Sequence, residues 1–319
     1  MVVTVTLNPC IDRTITIERL VLNGTNKVVE SRSDISGKGV NVSTALHNLG
    51  METLCMGFNF VNGSMPLKSF LDEQGIPARL INVEGPLRTN TKIFDRTSHC
   101  MTEYNEGGTP VSPEILAKFT EVLYNQLRQM GMCDLLVLDG SVPPGVPPNF
   151  YQHVIEEAKK SGVRTVLDAS GSLLREGIVA APYAIKPNLS ELEELAGRPL
   201  STAKAVYTVT EELLKCGIRY ICVSLGSDGA MLATPHGYWY VPAMEDIEIR
   251  GLQGAGDSLV AGMCIGISKN LPASEILQYA EAAASASVCQ VGTLLCSRAA
   301  FEAFLPQITS SPIKGKRSV

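Results

Sequence analysis

The sequence lacks the features by which several common classes of protein are recognised. It has no sustained basic run before its last six residues, KGKRSV, and its 32 acidic residues outnumber its 27 basic ones, leaving a formal net charge of −5. Nucleic acid is therefore not an expected partner, and the KGKRSV tail is expected to be a solvated, frayed terminus. The nine cysteines form no C-x-x-C pair and no cluster with histidine at zinc-ligand spacing. Most of them are expected to be small core residues.

Membrane, secretion and common nucleotide-binding signals are also missing. The amino end, MVVTVTLNPCID, has no basic leader and no cleavage site. No uncharged apolar run of about 18 residues occurs anywhere, so we expect a reduced, cytoplasmic protein without a membrane partner. The signatures G-x-x-x-x-G-K-[ST] and G-x-G-x-x-G are absent too, which excludes two familiar phosphate-binding loops.

The pattern of apolar segments predicts the fold class. The chain has 319 residues, 45% of them hydrophobic, which is enough for a large domain with a sizeable core. Strand-like runs recur as VVTVTL, TLCMGF, LLVLDG, VRTVLDA, YAIK and YICVSLG, and from LLVLDG onward they alternate with amphipathic segments such as NFYQHVIEEAKKSG. This alternation predicts an α/β fold with a mainly parallel sheet covered by helices on both faces, in a single domain over residues 1–319.

Two stretches break the α/β rhythm. RTITIERL, near residues 13–20, and TNTKIFDRTSHCMTEYN, over residues 89–105, alternate polar and apolar residues as half-exposed strands do. We expect them to pair as a small β-sheet lid beside the main domain.

The stretch RGLQGAGDSLVAG suggests chemistry at a helix start. Gly254, Ala255 and Gly256 precede the carboxylate of Asp257 and an apolar segment that reads as a buried helix. The first N–H groups of a helix lack internal partners and carry partial positive charge, so small residues there let an anion approach. Asp257 could then take the proton of an attacking hydroxyl. A tight turn with Asp257 as an ordinary first-turn residue fits this stretch alone equally well.

A second glycine-rich turn favours a catalytic site over a simple tight turn. DISGKGVNVSTALHNLG leads into another amphipathic helix and carries Lys38 and Asn41 where they can face a ligand. Together the two stretches resemble the signatures of the ribokinase-like (PfkB) carbohydrate kinases, which are G-K-G-x-N with a glycine nine residues after the asparagine, and G-A-G-D-S/A-F/L-x-x-G. The resemblance extends from near the first residue to about residue 298.

Further segments resemble the branch of this family that phosphorylates sugar phosphates, the 1-phosphofructokinase and tagatose-6-phosphate kinase subgroup. They are TLNPCID, LRTNTKI, GSVPPGV, IKPNLSELEELAG and VSLGSDGA. The resemblance implies an enzyme that uses ATP and Mg²⁺ and acts on a ketohexose phosphate. Fructose 1-phosphate is the first choice and tagatose 6-phosphate the close alternative. A homodimer formed through the lid is a further implication.

The resemblance also implies roles for individual residues. Asp257 would be the catalytic base, with the N–H groups of Gly254, Ala255 and Gly256 as the anion hole. The sugar phosphate would be held by Asp12, Gly37, Lys38, Asn41 and Arg88, with Arg88 on its phosphate. The nucleotide and its metal would be held by Lys186, Asn188, Glu191, Ser224, Gly226, Gly229 and Gly292, with Glu191 reaching Mg²⁺ through water.

Several of these residues have plainer interpretations, and the chain departs from the family pattern once. Asp12 could close a turn, Arg88 could be a surface charge, and Asn188 with Glu191 is expected to form a helix cap as well. The family usually has D-T-x or S-T-V where this chain has Gly251, Leu252 and Gln253. The missing hydroxyl bears on nucleotide contacts, and it leaves open a non-catalytic, sugar-phosphate-binding regulator as an alternative from another class.

Overall fold

The core of the protein is one ten-stranded sheet. In the computed structural model, which describes residues 1–63 and 66–313, the strand order is β14-β13-β12-β11-β10-β9-β8-β1-β4-β5. These strands are β1 Val2–Thr6, β4 Thr53–Asn62, β5 Ala78–Pro86, β8 Leu135–Asp139, β9 Arg164–Asp168, β10 Ala184–Ile185, β11 Tyr220–Ser224, β12 Ala230–Thr234, β13 Gly237–Val241 and β14 Ser311–Ile313. Neighbours from β5 to β11 pair in parallel, and β11 to β14 pair antiparallel.

Ten helices cover the sheet on both faces. They are α1 Lys38–Asn48, α2 Leu67–Glu73, α3 Pro113–Leu127, α4 Phe150–Lys160, α5 Gly171–Val179, α6 Leu189–Ala196, α7 Ala203–Lys215, α8 Ala255–Ser268, α9 Ala273–Val288 and α10 Arg298–Phe304 among the described residues. One face packs against α2 to α7 and the other against α1, α8, α9 and α10. Every residue of β1 and β8 is buried because both faces of the sheet are covered.

A separate sheet of four strands forms the lid. Its order is β3-β2-β6-β7, with β2 Cys10–Ile17, β3 Val28–Ser36, β6 Arg88–Asp95 and β7 Cys100–Asn105. The two stretches expected to pair do so, since β2 lies parallel to β6. Strand β3 was not predicted, because its first four residues are all exposed and no alternation of apolar residues marks it. It also read residues 89–105 as one segment, whereas β6 and β7 form an antiparallel pair.

The predicted fold class is confirmed. The cysteine prediction is correct for five residues, Cys10, Cys55, Cys222, Cys264 and Cys296, whereas Cys100, Cys133 and Cys216 are exposed. Within residues 1–63 and 66–313, no helix is both long and apolar enough to span a bilayer. The KGKRSV tail lies outside the described residues.

One buried carboxylate in α9 gives a testable dependence of stability on pH. Burial raises the pKa of Glu281 from 4.5 to about 7, although Ser285 donates a hydrogen bond to it. Between these two values the unfolded chain loses the proton and the folded chain keeps it, so stability falls as pH rises. Glu281→Gln removes this dependence. Its stability advantage over the wild type should grow by about 2–3 kcal/mol between about pH 5 and about pH 8.

Urea unfolding at the two pH values measures this effect. The control is Glu156→Gln, which makes the same substitution at an exposed carboxylate on α4. Equal pH dependence in Glu281→Gln and wild type would contradict the expectation.

Candidate active site

The two glycine-rich turns of the sequence meet at the carboxyl edge of the main sheet. Helix α1 begins after Gly37 and helix α8 after Gly254, and both glycines have positive φ, 140° and 74°. The Asn41 Nδ2 on α1 donates a hydrogen bond of 2.7 Å to the Asp257 Oδ2 on α8. Both side chains are buried. Two motifs more than two hundred residues apart in the chain therefore share one carboxylate.

The first turn of α8 lies beside the ammonium group of Lys186. Gly254 caps the helix without any side-chain hydrogen bond, and Ala255, Gly256 and Asp257 follow as its first three residues. A Cβ added at Gly256 would lie 3.5 Å from the Lys186 Nζ. The Ala255 N–H makes a long hydrogen bond of 3.4 Å to the Leu252 carbonyl, and the Lys186 ammonium lies beside this helix start, which suits an anion.

Two aspartates that the sequence analysis did not single out complete the site. Asp139 and Asp168 end the neighbouring parallel strands β8 and β9 in register with each other. With Asp257 they place carboxylate oxygens within 4.8 Å of one another, and all three are buried. A signal was present, since LLVLD and VRTVLD both end on aspartate, and parallel strands bring their carboxyl ends to one edge.

Two lysines neutralise part of this acidic cluster. The Lys38 Nζ lies 2.9 Å and the Lys186 Nζ 3.1 Å from the Asp168 Oδ2. Although burial alone raises it, the two lysines hold the pKa of Asp168 below its usual value. Burial likewise lowers the pKa of Lys38, but attraction to Asp168, Asp139 and Asp257 raises it well above its usual value. Lys38 therefore stays charged.

Asp139 and Asp257 differ from Asp168 in their pKa. Burial, reinforced by Asp168, raises the pKa of Asp139 well above its usual value. Burial also raises the pKa of Asp257, against the opposing effect of Lys38 and of the Asn41 hydrogen bond. The two lysines thus favour the ionised form of Asp168, whereas burial disfavours charge on Asp139 and Asp257.

The oxygen donors of this cluster fit a divalent cation. Three carboxylate oxygens have no hydrogen-bond partner among the described residues, namely both oxygens of Asp139 and the Oδ1 of Asp168. Buried polar atoms without partners are unusual in folded proteins. Carboxylate oxygens are the ligands that Mg²⁺ prefers, so the donor set satisfies this requirement of a magnesium site.

A second group of polar residues joins the lid to the main domain at Asp12. The Asp12 Oδ1 accepts a hydrogen bond of 3.2 Å from the Asn90 Nδ2, and its Oδ2 accepts one from the Gln253 Nε2 and lies 3.7 Å from the Lys92 Nζ. The buried Oδ1 of Asn90 has no partner among the described residues. These acceptors suit the hydroxyl groups of a sugar. The sequence analysis missed Asn90 and Lys92, which lie beside Asp12 only through the parallel register of β2 and β6.

Arg88 begins β6 and is partly engaged with the backbone. Its Nε donates a hydrogen bond of 3.1 Å to the Asn8 carbonyl, and its Nη1 donates one of 2.9 Å to the Glu106 carbonyl. Arg88 is therefore not merely a surface charge, since it also ties the lid to two loops.

The residues expected at the nucleotide lie in three places. Asn188 and Glu191 form a reciprocal capping box at the start of α6, which confirms the expected cap. Ser224 bridges to Asn188, and Gly226 and Gly229 follow it with φ of 63° and 91°. Gly292 lies apart from these, because a Cβ there would come within 2.8 Å of Arg32 and Asp34 on the lid strand β3. Its role at the nucleotide stays a prediction, as do the nucleotide roles of the others.

Comparison with known proteins assigns this sequence to a family. The model of pfkB family carbohydrate kinases matches residues 5–300. The 1-phosphofructokinase of Haemophilus influenzae is 29% identical over 314 residues, covering 98% of this chain and 99% of that protein. The 1-phosphofructokinase of Bacillus subtilis is 31% identical over 287 residues, covering 90% of this chain and 92% of that protein.

Solved structures share the fold. A possible 1-phosphofructokinase from Thermotoga maritima superimposes with a TM-score of 0.84 at 28% identity and covers 98% of this chain and 100% of its own. Phosphofructokinase-2 from Escherichia coli in complex with substrates and products has a TM-score of 0.87 at 24% identity, covering 96% of this chain and 98% of its own. With two glycine-rich turns around one buried aspartate and a family match over most of its length, the chain belongs to the pfkB family of carbohydrate kinases.

Proposed function

We propose that this kinase transfers the γ-phosphoryl group of ATP to fructose 1-phosphate and forms fructose 1,6-bisphosphate and ADP. The observation that carries the proposal is the 2.7 Å hydrogen bond between Asn41 and Asp257, which joins the sugar motif to the catalytic motif. The choice of sugar rests on the relatives, since those from Haemophilus influenzae and Bacillus subtilis are both named 1-phosphofructokinase.

Asp257 is the proposed base. As the bond from the sugar oxygen to the γ-phosphorus forms and the bond to the ADP oxygen breaks, the Asp257 carboxylate takes the hydroxyl proton. Because phosphoryl transfer has a loose transition state, this carboxylate mainly orients the hydroxyl and accepts the proton late. Asn41 holds the carboxylate in place through its hydrogen bond.

The reaction also requires that the negative charge on the transferred phosphoryl group be stabilised. The proposed anion hole consists of the first N–H groups of α8, at Gly254, Ala255 and Gly256, with the Lys186 ammonium facing them. Such fixed donors stabilise developing charge without having to reorganise. Glycine at position 256 keeps the helix start accessible, since any side chain there would project toward Lys186.

Metal and nucleotide complete the proposal. The unpartnered oxygens of Asp139 and Asp168 are offered as the donors for Mg²⁺, with Glu191 acting through water. When bound, Mg²⁺ neutralises charge on the phosphate oxygens of ATP. The proposed nucleotide contacts are Lys186, Asn188, Ser224, Gly226, Gly229 and Gly292.

The sugar side of the proposal uses the lid. Asp12, Gly37, Lys38 and Asn41 are assigned to the sugar and Arg88 to the phosphate it already carries. Kinetics with ATP, Mg²⁺ and a panel of fructose 1-phosphate, tagatose 6-phosphate, fructose 6-phosphate and fructose test this assignment by ADP release. The highest kcat/KM is expected for fructose 1-phosphate. A higher kcat/KM for tagatose 6-phosphate would identify the protein as a tagatose-6-phosphate kinase instead.

We also propose that two copies of the chain associate through their lids. Twelve large hydrophobic residues are exposed within residues 1–63 and 66–313. Six of them lie on the lid strands β3 and β7 or in the loop between β2 and β3, namely Val21, Leu22, Val28, Val29, Met101 and Tyr104. A concentration of exposed apolar side chains on one small sheet marks an interaction surface.

Leu22→Glu tests the lid interface. Leu22 is 77% exposed and Met132, on the main domain, is 80% exposed, so Met132→Glu is a matched control. Light scattering after size exclusion should show a dimer for the wild type and for Met132→Glu, and a monomer for Leu22→Glu, because a charge is costly in an apolar interface. A monomeric wild type, or equal behaviour of the two variants, would exclude this interface.

A further inference from the structure

The loop before the catalytic helix makes a contact that the family pattern does not provide. Where the family usually has a hydroxyl-bearing sequence, this chain has Gly251, Leu252 and Gln253. The Gln253 Nε2 donates a hydrogen bond of 2.5 Å to the Asp12 Oδ2, across 241 positions of sequence. Gln253 directly precedes Gly254, which caps α8. The contact thus links the lid carboxylate assigned to the sugar with the helix that carries Asp257.

The hydrogen bonds of Asp12 show what this contact does. Asp12 is a buried carboxylate, and one amide holds each of its oxygens, Asn90 on Oδ1 and Gln253 on Oδ2. The Cys10 thiol also donates to Oδ1 at 3.6 Å, and the Lys92 Nζ lies 3.7 Å from Oδ2. Both contacts are long, and a thiol is a weak donor, so sugar hydroxyls can replace them without disturbing the two amides. Two amides on opposite oxygens fix the plane of the carboxylate, which orients the remaining lone pairs.

The Gln253 backbone is held firmly enough for this purpose. The N–H groups of Arg250 and Gly251 both donate to the Val288 carbonyl, and the Ala255 N–H donates to the Leu252 carbonyl. The loop after α9 makes a separate contact with the lid, where the Thr293 hydroxyl donates to the Ile35 carbonyl. The backbone on both sides of Gln253 is therefore held by hydrogen bonds.

We propose that Gln253 is a positioning residue of the sugar site, acting through Asp12. It orients the Asp12 carboxylate toward the sugar hydroxyls and ties the occupied lid to the start of α8. The proposal rests on the assignment of Asp12 to the sugar made under the proposed function. A valine, as in the S-T-V pattern, has no donor and could not make this contact.

Three variants test the proposal in the full-length protein. Gln253→Met keeps the length of the side chain and removes the donor. Gln253→Glu replaces the donor with a second carboxylate facing Asp12. Leu252→Ala, at an exposed neighbour in the same loop, is the matched control.

The readouts separate positioning from loop structure. Calorimetry with fructose 1-phosphate alone should show about tenfold weaker binding for Gln253→Met and a larger loss for Gln253→Glu, since the carboxylates repel each other. The KM for ATP should stay within about twofold in all variants, and Leu252→Ala should match the wild type. Equal losses for ATP and sugar phosphate, or none for either Gln253 variant, would overturn the proposal.

Asp12→Asn separates the role of Gln253 from the assignment of Asp12 to the sugar. It should weaken fructose 1-phosphate binding, and adding Gln253→Met should then have little further effect, because the two residues act through one contact. If Asp12→Asn weakens binding while Gln253→Met alone does not, the role of Gln253 is wrong and the sugar assignment stands. If Asp12→Asn changes nothing, both the sugar assignment of Asp12 and the role of Gln253 are wrong.

Discussion

Asp257→Asn should lower kcat by about 10²–10⁴-fold while the KM values for ATP and sugar phosphate change by only a few-fold. Asparagine fits the same space and can still hydrogen bond to Asn41, but it cannot accept the hydroxyl proton. Steady-state kinetics of the purified variant measure both parameters. A loss confined to KM would contradict the role of base, because removing a base affects mainly the transition state.

The pH dependence and stability of this variant distinguish a catalytic base from a residue that only stabilises the first turn of α8. Burial raises the pKa of Asp257, so wild-type kcat should fall on acidification at a pH above the usual aspartate range, as the base becomes protonated. In Asp257→Asn, kcat should no longer fall on acidification in this pH range. If Asp257 instead serves only the first turn of α8, the variant should unfold at lower temperature than the wild type and retain near-normal kcat.

Arg88→Ala should raise the KM for fructose 1-phosphate by roughly 10- to 150-fold, the equivalent of about 1.5–3 kcal/mol for hydrogen bonds to a charged group. A guanidinium can hold a phosphate with parallel hydrogen bonds, and this contact exists in ground and transition states alike. The KM for ATP should hardly change. Arg88→Lys should recover part of the loss, because lysine supplies the charge without the fork.

Free fructose provides the control that the structure makes necessary. Because Arg88 donates to the Asn8 and Glu106 carbonyls, removing it also weakens the junction between the lid and two loops. Fructose lacks the phosphate, so its slow turnover should change far less than that of fructose 1-phosphate. Equal impairment of the two substrates would mean that Arg88 only supports the lid.

The sequence predicted the features that depend on local pattern. Strands and helices of the main domain follow apolar periodicity, and the capping box at Asn188 and Glu191 follows residue type at fixed spacing. The meeting of Asn41 and Asp257 was implied by the family resemblance and not by the pattern alone.

The features that the sequence analysis missed depend on register between distant segments. Asp139 and Asp168 read as ordinary strand ends until β8 and β9 place them side by side. Strand β3 is largely exposed, so hydrophobic alternation could not mark it. Gln253 read as a missing hydroxyl, whereas its contact with Asp12 requires the lid and the loop before α8 to be adjacent, which no local pattern encodes.

The most direct test of the central claim is phosphorus NMR of the product formed from fructose 1-phosphate, ATP and Mg²⁺ by the purified protein. The proposed function predicts a second phosphomonoester on the sugar, at carbon 6, appearing in equal amount with ADP. Fructose 1-phosphate that binds without any ADP forming, with no product from any sugar of the panel, would contradict it and identify a sugar-phosphate-binding regulator instead.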